Sequence, residues 1–72
     1  MIQVNFRKNL IDLLHEKEIC QTQLAREVHI SQSAISNWLS GKKEPSIESL
    51  WILADYFNVT IDQLVGREKL FD

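Results

Sequence analysis

Gln32, Ser33, Ser36 and Asn37 stand at spacings that place them on one side of a helix. None is charged, and each side chain can both donate and accept hydrogen bonds. That chemistry suits a partner that displays donors and acceptors in a fixed order. Base-pair edges in the major groove are such a partner: Gln or Asn bonds adenine bidentately through N6 and N7, and Ser serves several bases. A face built for solubility alone would more often carry Lys and Glu. A few residues on, Gly41-Lys42-Lys43 joins a glycine, which lets backbone come close to a phosphate, to two cations whose contact releases counterions. The other reactive side chains make no comparable pattern. His15, Cys20 and His29 match no zinc spacing. No base or oxyanion site is marked out beside Cys20, which is expected to be a half-buried residue at a helix start. There is no phosphate-binding glycine-rich loop, so neither an enzyme nor a metal or cofactor site is expected.

The polar face requires a helix, and that helix requires a neighbour to hold it outward. Gln21–Val28 predicts a short helix with Leu24, Ala25 and Val28 inward and Cys20 at its N-cap, where a hydroxyl would be stronger. Ser31 is a good N-cap for the next, Gln32–Leu39, with Ile35 and Leu39 inward and Ser40-Gly41 as its stop. Only His29-Ile30-Ser31 separates the two, so they cross steeply as a helix-turn-helix, and Ala25 is small enough for close approach at the crossing. Upstream, Asn5–Lys17 carries an apolar stripe of Phe6, Leu10, Leu13 and Leu14. Downstream of a loop at Lys42–Pro45, Ser46 caps Ile47–Phe57, with Ile47, Leu50, Leu53, Ala54 and Phe57 inward. Asn58 suits a left-handed turn. Thr60 and Gln63 fit a capping box for Ile61–Val65, which Gly66 ends before a short tail, 67–72. Two glycines, one proline and no alternating pattern give an all-α chain of five helices.

The whole chain of 72 residues reads as one domain, with its core over about 5–66. A chain this short buries about 60% of the surface it would expose unfolded. The longest apolar run, Leu50–Ala54, is far too short for a membrane span. The first residues lack a secretory pattern, and a lone cysteine suits a reducing cytosol, so a cytoplasmic protein is expected. Net charge is −2, unfavourable for a polyanion, but it is unevenly spread. Residues 46–72 set Arg67 and Lys69 against Glu48, Asp55, Asp62, Glu68 and Asp72. Residues 21–45 set Arg26, Lys42 and Lys43 against Glu27 and Glu44, a small positive excess. A polyanion should therefore meet the middle of the chain and avoid its end.

Leu24-Ala25, Ile35-Ser36 and Gly41-Lys42 with Pro45-Ser46, followed by Leu50, Leu53-Ala54, Phe57, Val59 and Ile61-Asp62-Gln63-Leu64, resemble the Cro/CI family of helix-turn-helix repressors, also called XRE-like or lambda-repressor-like. The likeness runs over about residues 5–66. It implies a five-helix domain that binds double-stranded DNA, usually as a symmetric homodimer on a palindromic operator. It implies base contacts from Gln32, Ser33, Ser36 and Asn37, and phosphate contacts from Gln21 at the start of the second helix and from Ser40, Gly41, Lys42 and Lys43. Relatives often carry a buried Arg–Glu pair where Leu14 and Leu39 stand here; two leucines packing on each other avoid the desolvation cost of such a pair. Glu18 and His29 replace usual glycines, so His29 must adopt positive φ if the turn keeps its shape.

Trp38 is expected to pack beneath the following loop. Trp51, Ile52 and Tyr56 fall off the inner face of their helix. With Leu70 and Phe71 they make a dimer interface with an aromatic anchor, or else the tail folds back over them. The resulting function is a sequence-specific DNA-binding transcriptional regulator, a repressor acting by promoter occupancy. The alternative is a protein-interaction module, such as the antitoxin half of a toxin–antitoxin pair.

Overall fold

In the computed structural model, which describes residues 5–70, five helices follow one another: α1 (Phe6–Lys17), α2 (Gln21–Val28), α3 (Gln32–Ser40), α4 (Ile47–Phe57) and α5 (Ile61–Val65). Every predicted helix is present, and the bounds agree to within a residue. α1 begins one residue later than expected, with Asn5 as its N-cap, and α3 runs one residue longer, to Ser40. The starts are made by side chains. The hydroxyls of Ser31, Ser46 and Thr60 accept from the backbone N–H of Ala34, Ser49 and Gln63, and the Gln63 side chain returns the bond to Thr60 N–H, completing the capping box.

The ends share one device. Glu18, His29, Gly41, Asn58 and Gly66 all stand in the left-handed region, at φ 57°, 59°, 82°, 59° and 94°. In each case the next residue donates its N–H to the carbonyl five positions back: Ile19 to Leu14, Ile30 to Ala25, Lys42 to Asn37, Val59 to Ala54 and Arg67 to Asp62. The positive φ expected of His29 is present. A left-handed glutamate or histidine costs about 1 kcal/mol relative to glycine. After the three non-glycine stops the following residue is apolar, and Ile19, Ile30 and Val59 all pack against the core. After the two glycines it is a cation. Where the turn is strained, burial of its next side chain offsets the strain.

The core is built from all five helices: Phe6, Leu10 and Leu13; Leu24, Ala25 and Val28; Ile35 and Trp38; Leu50, Leu53, Ala54 and Phe57; Leu64 and Val65. Trp38 packs inside as expected, edge-on to Phe6 with ring centroids 6.1 Å apart. It takes the deep position on α3, while Leu39 is only half-buried; Leu14 is half-buried too, and both border the core. Ile47 corrects the sequence reading. It is 74% exposed, not inward. On the helical wheel it lies about 60° from Leu50, and as the first residue of α4 it has no turn above it to pack against. Cys20 is likewise exposed rather than half-buried.

Sequence reasoning passed over Asn9. It is 9% exposed, on the inner side of α1, and its side-chain amide donates to the carbonyls of Gln63 and Leu64 at 2.9 and 3.3 Å. Those are C-terminal carbonyls of a five-residue helix too short to be stable alone. Asn9 therefore docks α5 onto α1. Asn9→Ala should lower the unfolding free energy in urea by about 2 kcal/mol, with faster amide exchange concentrated in α5. Lys8→Ala, which breaks only the exposed Lys8–Asp12 pair, should change stability by less than about 0.5 kcal/mol.

Candidate nucleic-acid interface

Three constraints aim α3. Its N-terminus hangs from the left-handed turn at His29; Ala25, a small residue at the α2 side of the corner, is buried; and Ile35 and Trp38 hold the opposite face in the core. Gln32, Ser33 and Ser36 are left fully exposed and Asn37 half-buried. The described chain leaves this ridge uncovered, and its side chains make no hydrogen bonds among the described residues that would compete with a ligand. Gln21, the first residue of α2, is half-buried at that helix start.

The loop after α3 has a different economy. Gly41 N–H donates to the Trp38 carbonyl at 3.2 Å, and Lys42 and Lys43 N–H both donate to the Asn37 carbonyl, at 2.9 and 3.3 Å. The Ser40 hydroxyl also turns back to the Asn37 carbonyl. The backbone donors that a glycine loop would offer an anion are thus spent on closing α3. The lysine ammonium groups remain, exposed and outside any ion pair among the described residues.

Of the apolar residues set apart for self-association, Trp51 is 69% exposed and uncovered by the described part of the tail. It borders a surface groove with Ala54, Asp55, Val59 and Ile61. Ile52 and Leu70 are half-buried against the core. Tyr56 is also half-buried, and its hydroxyl donates to Glu27 on α2 at 2.6 Å. Phe71 lies outside the described residues. The Tyr56 bond was not legible in the sequence because its partner lies 29 positions away.

Titration adds little else. Among the described residues no group of His, Cys, Asp and Glu is placed to hold a metal. The Gln23 backbone N–H is the main cause that lowers the Cys20 thiol from its ordinary value. The Tyr56 hydroxyl, followed by the Gln23 side chain, lowers the Glu27 carboxyl. The same bond raises Tyr56.

The helix-turn-helix family profile matches residues 13–64, and the chain belongs to that family, in keeping with the Cro/CI-like pattern of its residues. It is 42% identical over 67 residues, 93% of its own length and 33% of the other, to the HTH-type transcriptional activator BcrR of Enterococcus faecalis. It is 31% identical over 65 residues, 90% of its length and 41% of the other, to the antitoxin PezA of Streptococcus pneumoniae. A crystal structure of a transcriptional regulator from Listeria innocua superposes with a TM-score of 0.77 at 36% identity, over 85% of this chain and 57% of that one. The chain spans roughly a third to two fifths of the length of these two curated relatives. No described helix is long and apolar enough to cross a membrane.

The Tyr56–Glu27 bond ties α4 to α2. Because the folded-state pKa of Glu27 is depressed, this contribution to stability is complete above the ordinary carboxylate range and is lost as pH falls through the lower folded value. Thermal unfolding of Tyr56→Phe should therefore fall below wild type at pH 7, and the two curves should converge as the medium is acidified past that range.

Proposed function

We propose that this chain is a sequence-specific DNA-binding module of a transcriptional regulator, acting as a repressor. The observation that carries the reading is the uncharged, exposed ridge of α3, with Gln32, Ser33, Ser36 and Asn37 free to meet base edges. Gln21 positions the duplex backbone through a helix N-terminus at one end, and Lys42 and Lys43 do so through ammonium groups at the other, with Ser40 and Gly41 shaping the turn that presents those lysines. Repression needs nothing beyond occupancy: a dimer on a palindrome sets two copies of α3 in successive major grooves about 34 Å apart. The domain is taken to span the full 72 residues, and a cytoplasmic setting suits the exposed free thiol of Cys20.

Dimerisation rests on Trp51, a large aromatic that is 69% exposed, as the anchor, with Ile52, Tyr56, Leu70 and Phe71 assigned to the same interface from the sequence. The same exposed Trp51, together with the likeness to an antitoxin, favours a second reading in which this face engages a different protein. The two readings are compatible with one DNA-binding ridge.

Selection of bound duplexes from a random pool, followed by titration of the best site, tests the DNA reading. Gln32→Ala should relax the preference at one base position by about 1–3 kcal/mol. Lys43→Ala should weaken all sequences alike and flatten the dependence of log K on log salt by about 0.9. Absence of binding to any duplex at low salt leaves only the protein-interaction reading. In sedimentation equilibrium at micromolar concentration, Trp51→Glu should have the monomer mass and wild type the dimer mass; equal masses remove Trp51 from the interface.

A further inference from the structure

The loop after α3 is poor in free donors for a phosphate. The N–H groups of Gly41, Lys42 and Lys43 and the Ser40 hydroxyl are bonded back to the end of α3, so the loop meets an anion mainly through the charges of Lys42 and Lys43. A third cation comes from elsewhere in the chain. Arg7, in the first turn of α1, is exposed, and its Nη1 lies 3.2 Å from the point where a Cβ on Gly41 would stand. A shallow groove runs between them, floored by Phe6, Trp38 and Pro45 and edged by Arg7, Lys43 and Glu44. The guanidinium forms no ion pair with Glu44 or with any other described acid. The buried Phe6–Trp38 edge contact fixes this first turn of α1 against the end of α3, so the position of Arg7 beside the loop is set by the core rather than by an exposed pair.

We propose that Arg7 is a phosphate-holding residue of the DNA interface, closing the loop site over Gly41 beside Lys43. The inference rests on the DNA-binding reading above and deepens it. Three cations against Glu44 give the site a clear positive excess in a chain whose total charge is negative. A guanidinium can grip a phosphate through two parallel N–H bonds, which neither lysine can do. Gly41 is required by its φ of 82°, and its missing Cβ also leaves room for the guanidinium, which a Cβ at 3.2 Å would displace by only a few tenths of an ångström. Position is also favourable. α3 is about 13.5 Å long and the major groove about 12 Å wide, so when the front of α3 reads bases, its far end stands at a backbone wall.

The test is a salt titration of the selected duplex against wild type, Arg7→Ala, Arg7→Lys, Lys43→Ala and Lys17→Ala, with thermal unfolding of each. Lys17 is an exposed cation at the far end of α1 and controls for net charge. Arg7→Ala should weaken binding roughly tenfold and flatten the salt slope by about 0.9, with unfolding little changed. Arg7→Lys should keep the slope and lose part of the affinity. Lys17→Ala should leave the slope unaltered. If Lys43→Ala flattens the slope and Arg7→Ala does not, the assignment of Arg7 is wrong while the DNA reading stands. If Arg7→Ala and Lys17→Ala flatten it equally, Arg7 acts only through total charge and the assignment is again wrong. If wild type binds no duplex, both readings fall together.

Discussion

The corner between α2 and α3 turns on a single residue, His29, whose φ of 59° sends the chain off at the angle that faces α3 outward. Glycine would hold this conformation without strain; histidine holds it only because the structure around it supplies compensation. Ile30 donates its N–H to the Ala25 carbonyl at 3.2 Å and packs its side chain against the core. Ser31 then caps α3. One left-handed residue, one half-buried side chain and one hydroxyl thus decide where Gln32, Ser33 and Ser36 point. Freeing Ile30 from the core would leave the left-handed histidine without its offset, and the direction of the ridge would relax with it.

The same economy governs charge. A chain with net charge −2 gains little from long-range attraction to a polyanion, so affinity must come from close contacts. Three cations outside any ion pair among the described residues, Arg7, Lys42 and Lys43, stand near the end of α3, where the loop backbone is spent on closing that helix. Those bonds anchor the loop to the end of α3, and a preorganised site loses less freedom on meeting a ligand. In the proposed DNA complex, short hydrogen-bonding side chains on the ridge would carry selectivity without adding the indiscriminate attraction that a lysine-rich helix would bring.

Much of this was legible in the sequence, because local signals agree with the tertiary structure. Ser31, Ser46 and Thr60 mark starts, and Gly41, Asn58 and Gly66 mark stops. What escaped depends on distance along the chain. Asn9 looks like any polar residue until α5 brings the carbonyls of Gln63 and Leu64 to it, 54 and 55 positions away. Arg7 looks like a solvated cation until the Phe6–Trp38 contact brings it over Gly41. Ile47 failed for the opposite reason: its spacing suits the stripe, but a helix end has no neighbour to bury it. Leu14 and Leu39 sit half-buried beside the core where a charged pair was the family habit, which spares this small protein the desolvation of two ions.

In the proposed complex the exposed faces of α3 and α4 would respond to salt in opposite senses. Duplex binding through Lys42, Lys43 and Arg7 would weaken as counterions compete. Along α4, Trp51 is flanked one turn away on either side by Glu48 and Asp55. In the proposed dimer a twofold axis near Trp51 would bring these acids toward their own copies, a repulsion that added salt screens. Moderate ionic strength would therefore favour assembly while loosening the grip of each copy on phosphate. Specific occupancy gains from that balance, since pairing two ridges on a correctly spaced site adds contacts that a single copy on random sequence does not have.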